Sequence, residues 1–183
     1  MPDYPPGRLI QSRSLDDWKA AEKGYESALE VVGKKRKAWP LLRELDEARR
    51  QVEGNSEKAV ADAWKAATEE LARGNLIEAV VALTALRGVG VATASAVLST
   101  RDPSIPFMSD EAILACDVPR KYDLPTYKAV FGHIAQTAAE LHKMSENEAD
   151  WTAERVQQCL WASNNMPKEA TGDNETGKRK RDS

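Results

Sequence analysis

Tyr127, Val130, Phe131, Ile134, Ala138 and Leu141 recur three and four positions apart, the period of a helix that packs by one face. The same spacing returns along most of the chain, and few segments alternate apolar and polar as a half-buried strand would. This pattern predicts an all-α fold. With 183 residues the chain is long enough for one core of ordinary size and too short for two comfortable domains. A single compact helical domain is therefore expected over 14–163. A flexible arm, 1–13, precedes it, and after Asn164 the chain turns polar and charged, predicting a disordered tail over 164–183.

Helix punctuation divides the domain. Ser14 is placed to cap a first helix reaching Val32, with Asp17 in the reciprocal position and Leu15, Trp18, Tyr25 and Leu29 on one side; Gly33 ends it. A second helix follows Pro40, Leu41 to Val52, before Gly54 and Asn55. A third, Ser56 to Arg73, sets Val60, Ala63, Trp64, Ala67 and Leu71 on one stripe, and Gly74 closes it. Asn75 and Glu78 form a capping signal for a fourth, whose apolar face is Leu76, Val80 and Leu83. Alanine-rich Val91 to Arg101 makes the fifth. Asp102 to Phe107 is then extended, because Pro103 and Pro106 each disfavour helix in the residue before them. A short helix, Asp110 to Ala115, a turn over Pro119 to Pro125, the long helix of the opening pattern and a last helix around Trp151 to Trp161 complete the series.

Several function classes fall away. The longest apolar stretch, Ala79 to Leu86, is broken by Thr84 and followed by Arg87, far from the roughly 20 residues of a membrane span. No membrane association is expected. Met1 to Arg13 has prolines and polar residues in place of an apolar signal segment, which points to the nucleus or cytoplasm and makes the Asn174-Glu-Thr176 triplet an accidental match to a glycosylation acceptor. Cys116 and Cys159 are isolated from one another and have no metal-ligand spacing, and His133 and His142 lie nine residues apart, about two and a half turns. Neither a metal nor any other cofactor is expected, and both cysteines read as buried apolar groups. The net charge of −3 counts against strong nucleic-acid binding, although Lys34-Lys-Arg-Lys37 and Lys178-Arg-Lys-Arg181 are compact basic runs of the kind found in import signals, nucleic-acid contacts and solvated tails.

Chemistry concentrates in Leu86-Arg-Gly-Val-Gly-Val-Ala-Thr-Ala-Ser-Ala-Val-Leu-Ser99, a tight turn between two helical patterns within 76–101. Gly88 and Gly90 permit positive φ and close backbone approach, and Val89 can turn inward to pin the helices. The first N–H groups of the following helix have no intrahelical partner, which suits a phosphate oxygen. Arg87, Gly88, Val89, Gly90 and Thr93 are the candidate phosphate-contact residues, with Arg101 a further cation in reach. The alternative is a packed turn that holds no ligand.

Leu86, Gly88, Val89, Gly90, Thr93 and Ala94, followed by a Pro-containing return and Asp110 sixteen residues after Ala94, resemble the helix-hairpin-helix motif of the DNA glycosylase superfamily that includes endonuclease III and the alkyladenine glycosylases. The resemblance spans Leu83 to Ala115. Ala92-Thr-Ala-Ser-Ala and Pro106-Phe-Met-Ser-Asp-Glu111 are also similar to segments of largely fungal proteins that share the motif. The resemblance implies DNA as partner and Asp110 as catalytic carboxylate. Ala92 occupies the position of the Schiff-base lysine of bifunctional members, so a lyase mechanism is disfavoured.

The chain can make the return the resemblance requires. Eleven helical residues from Val91 to Arg101 rise about 16 Å, and eight extended residues from Asp102 to Ser109 span up to about 26 Å. Beside the hairpin, Asp110 could stabilise positive charge on a sugar and orient water. Its plainer role is structural: Ser109 has the form of an N-cap, and Asp110 with Glu111 would each stabilise the helix start by about 0.3–1 kcal/mol. Two functions stay open, a monofunctional DNA N-glycosylase and a helical protein-interaction module without DNA chemistry. The charge of the concave face around the hairpin separates them.

Overall fold

The computed structural model describes residues 9–12, 14–25, 27, 51–146 and 150–165. Among them are a 3-10 turn, Leu9–Gln11, and seven α-helices: α1 Leu15–Lys23, α2 Glu57–Ala72, α3 Leu76–Leu83, α4 Val91–Ser99, α5 Asp110–Ala115, α6 Leu124–Met144 and α7 Ala153–Asn165. The fold is all-α, and no strand occurs among the described residues. No described helix is long and apolar enough to cross a membrane. Expectations for the 1–8 part of the arm, the end of the first helix at Val32 and Gly33, most of the second helix, the Lys34–Lys37 run and the 166–183 tail lie outside the described residues.

Local chemistry sets most boundaries. Ser56 Oγ accepts from Ala59 N at 3.1 Å, Ser109 Oγ from Ala112 N at 3.1 Å, and Asp123 Oδ1 from Thr126 N at 2.9 Å; each satisfies an orphan donor of a helix start. Pro125 sits in the first turn of α6, where its missing N–H costs nothing. Gly74 closes α2 in the left-handed region, φ +79°.

Two expected caps are built otherwise. Ser14 stands at the N-cap of α1 without a side-chain bond; Ser12 Oγ instead donates to Asp17 Oδ2 at 2.6 Å and accepts from Ser14 N at 3.1 Å. Asn75 stands at the N-cap of α3, but its amide donates to Glu70 Oε2 at 2.7 Å and so ties α3 back to α2. The 102–107 segment is extended only in its second half. Asp102 Oδ1 accepts from Ser104 N at 2.9 Å and Asp102 O from Ile105 N at 3.0 Å, an Asx turn that α4 enters after ending at Ser99, two residues early.

The helices form two groups. α2 packs on α3 and α3 on α4, while α7 is the hub of the remainder, touching α1, α5, α6 and the 3-10 turn; α4 also meets α6. One continuous core joins them. Its largest fully buried side chains include Trp18 and Tyr127, and Trp18 meets Trp151 edge to face with ring centroids 6.3 Å apart. Cys116 and Cys159 are buried, as their isolation in sequence suggests, and burial pushes both thiols up to about 12. Trp64 departs from expectation. Ala63 and Ala67 face the core, but Trp64 is 39 % exposed and Val60 43 %, because the buried stripe of α2 is centred on the two alanines and the bulky neighbours lie along its edge.

Candidate functional site

The α3–α4 turn is shaped by its glycines unequally. Gly88 has φ +75°, and a Cβ there would stand 2.7 Å from Gln51 Cβ, so both backbone sign and space demand glycine. Gly90 does not share this need. Its φ is −86° and a Cβ would meet nothing within 4 Å; Gly90 serves as N-cap of α4 through its carbonyl, which accepts from Ala94 N at 2.9 Å. Val89 is half-buried against the core, as an inward pin should be. The turn has a second anchor absent from the sequence-based reading: Asn55 accepts from Arg87 N at 2.9 Å and donates to Arg87 O at 3.0 Å. An asparagine beside Gly54 reads as a loop residue, and its long-range pairing carries no sequence signal.

From Gly90 the chain runs up α4 and returns by 106–109. Ser95, fully buried, holds the return: its Oγ donates to Ala92 O at 2.9 Å and accepts from Met108 N at 3.0 Å. Gln157 on α7 clamps the same segment from the other side, accepting from Phe107 N at 2.6 Å and donating to Phe107 O. Glu154 N donates to Pro103 O at 3.0 Å. These bonds deliver Asp110 to a cleft of about 780 Å³ between α4 and α7, whose lining it shares with Ala92, Thr93, Ala96, Gln158 and Trp161, and with Tyr25 and Tyr122.

Thr93 and Asp110 thus share one cleft, as the return geometry anticipates. Arg87, Gly88, Val89 and Gly90 do not line it; they lie on the turn that precedes it. Ala92 does line it, so a methyl group and no amine stands at that position. Arg101 does not line the cleft either; its guanidinium lies 5.9 Å from the centre of the exposed Trp64 ring. Trp64 therefore makes a cation–π contact in place of the core role its spacing suggests.

Asp110 is not a lone carboxylate. Arg120 Nη2 donates to its Oδ2 at 2.5 Å, and the Tyr122 hydroxyl donates to Oδ1. Tyr122 and Asp110 in turn hold the Arg120 guanidinium above its usual range, the tyrosine contributing most. Both partners come from the irregular 119–123 segment, where no periodicity could have announced them. The pair is exposed, 50 % at Asp110 and 71 % at Arg120, so it is solvent-screened. The charged residues that line the cleft are Asp110, Glu111 and Glu154, and no lysine or arginine is among them. Among the described residues no group of three or more His, Cys, Asp or Glu is arranged to hold a metal ion.

No protein-family model, curated protein or solved structure matches this chain.

Proposed function

We propose that this protein is a helix-hairpin-helix DNA-binding protein of the glycosylase type, acting in the nucleus or cytoplasm, with a monofunctional base-release site at Asp110. The observation that carries the proposal is the meeting of Thr93, at the start of α4, with Asp110 in one cleft, reached by a return segment that Ser95 and Gln157 pin from both sides. The turn Arg87–Thr93 takes a backbone phosphate on the free N–H groups of the α4 start. Asp110, with Arg120 and Tyr122 already on its oxygens, stabilises positive charge at a sugar rather than serving as a strong base.

The test is a panel of damaged-base duplexes incubated with wild type and Asp110→Asn. Base release abolished in the variant, with DNA binding retained, is the expected result; release that persists removes Asp110 from the mechanism. Binding itself should weaken steeply with salt and be lost in Gly90→Glu. With Ala92 in the cleft, borohydride should trap no covalent adduct on abasic DNA.

The charge of the cleft favours a second function. Its lining carboxylates repel a phosphate backbone and suit a cationic partner, as in a helical protein-interaction module. No base release from any duplex, together with DNA affinity indifferent to salt, would select it.

A further inference from the structure

The chain already shows how it holds a guanidinium. Arg155 on α7 lies over the Trp151 ring, its Cζ 4.2 Å from the ring centroid, while Nε and Nη2 donate to the two carboxylate oxygens of Glu22 at 2.6 and 2.9 Å. An aromatic face and a bidentate carboxylate act together there, a pairing that suits a planar, weakly hydrated cation. Beside the α4–α7 cleft Arg120 is held in a related way, donating to Asp110 and to the Tyr122 hydroxyl.

Inside the cleft the same kinds of group stand together without a cation. Glu154, Gln158 and Trp161 follow one another at i, i+4 and i+7 along one face of α7. Trp161 meets Tyr25 with ring centroids 5.5 Å apart and ring planes at 67°, so two aromatic walls form a corner. Glu111 lines the cleft from α5 and Phe107 from the return segment. Among the described residues neither Glu111 nor Glu154 has a cationic partner, and the Glu154 carboxylate accepts only a 3.3 Å bond from Gln158 Nε2. The volume, about 780 Å³, falls in the range of ligand pockets. An anion is repelled by this lining, and an apolar ligand would cover carboxylates without pairing them. A lysine ammonium suits it less than a guanidinium, because the ammonium is strongly hydrated and cannot stack as a plane. Free arginine would bring its own carboxylate to a lining that already carries Asp110, Glu111 and Glu154; within a peptide that group is an amide.

We propose that the α4–α7 cleft binds an arginine side chain of a peptide partner, its guanidinium at the Tyr25–Trp161 corner and in the field of Glu111 and Glu154. This names the partner chemistry of the interaction-module reading and rests on that reading. Asp110 is engaged by Arg120 and Tyr122 and takes no part in the contact.

Fluorescence anisotropy of a short alanine-based peptide that carries arginine, with a dye on its N-terminus and an amidated C-terminus, reads the contact when titrated with the full chain. Replacing the peptide's arginine by lysine should weaken binding about fivefold. Trp161→Ala should weaken it as well, but Trp161 also packs against Tyr25, so the decisive variant is Glu111→Gln/Glu154→Gln, which changes charge and not volume. It should lose about tenfold in affinity. Glu57→Gln/Asp62→Asn, on α2, should bind the peptide as wild type does; an equal loss there would mark a general attraction to an acidic chain and overturn the proposal. A lysine peptide that binds as tightly, free arginine that competes at the peptide's own concentration, or affinity unchanged in the decisive variant overturns it too. Failure of the arginine peptide to bind overturns this partner alone, whereas base release from a damaged duplex overturns the interaction-module reading with it.

Discussion

The α7 hub and the α2–α4 arm are held together by different kinds of side chain. Around α7 the chain buries Trp18, Tyr127, Trp151, Ile134, Leu141 and Leu160, all less than 5 % exposed. In the arm the buried residues are chiefly Ala63, Ala67, Ala79, Val80, Leu83, Ala94 and Leu98, while Val60, Trp64, Val81 and Val97 remain exposed. Small residues let helices approach closely but remove less apolar area from water, at about 25 cal/mol per Å². The hub therefore supplies most of the stability. The arm supplies a backbone shape, set by Gly88 and by the Asn55 bonds to Arg87, and it is this shape that aims α4 at the cleft.

The sharpest break between the two regions should appear at their tryptophans. Trp18→Ala empties a site with no solvent exposure and removes the edge-to-face partner of Trp151, a loss of about 3–5 kcal/mol. Trp64→Ala, at 39 % exposure, should cost less than about 1 kcal/mol. Urea unfolding followed by far-ultraviolet circular dichroism measures both, and comparable losses would mean that the arm is as tightly packed as the hub.

Within the arm, Gly88→Ala should cost about 1–2 kcal/mol for the left-handed backbone alone, with added strain against Gln51. Gly90→Ala should be within about 0.5 kcal/mol of wild type, since its φ of −86° suits any residue and no atom obstructs the new methyl. Equal effects in thermal unfolding would overturn the assignment of shape to Gly88.

Smaller still is the capping contrast. Ser109→Ala removes an observed bond to Ala112 N and should cost about 1 kcal/mol, whereas Ser14→Ala removes no side-chain cap and should change the unfolding midpoint only within error. Exchange of the α5 amides with deuterium locates the loss.

The least effect is expected from acid. Accepting from Thr126 N holds the Asp123 carboxyl below its ordinary 3.8. A depressed folded value means that the cap's stabilisation is present above pH 3.8 and fades as pH falls through the lower folded value. Unfolding midpoints followed downward from pH 4 should decline less in Asp123→Asn than in wild type; an identical decline would show that this exposed cap is energetically silent.

How much of this could be read beforehand differs by residue. α5 matches its expected bounds, Asp110–Ala115, because Ser109 caps it through its hydroxyl. The meeting of Asp110 with α4 was legible from rise per residue and chain length, although the shared cleft needed Ser95 and Gln157 to hold it. Trp64 was misplaced because periodicity finds the centre of a buried stripe and not its width. Gly90 was overvalued because two glycines in one turn look alike until φ is known. Arg120 and Tyr122 were beyond sequence reasoning, since a loop of no period brings them onto Asp110 and only tertiary packing decides where that loop lies.

The central position of α7 also governs the order in which this molecule can be made. Its partners are spread from the 3-10 turn and α1 to α6, and Glu22 pairs with Arg155 across 133 positions. Contacts so distant in sequence close slowly, because the loop entropy is lost before the packing is gained. During synthesis Trp18 must wait for Trp151 and Cys159 to emerge, with its ring uncovered in the meantime. Nascent chains halted before residue 153 should therefore hold the α2–α4 arm locally ordered while the aromatic half remains open to solvent, to protease and to holding chaperones.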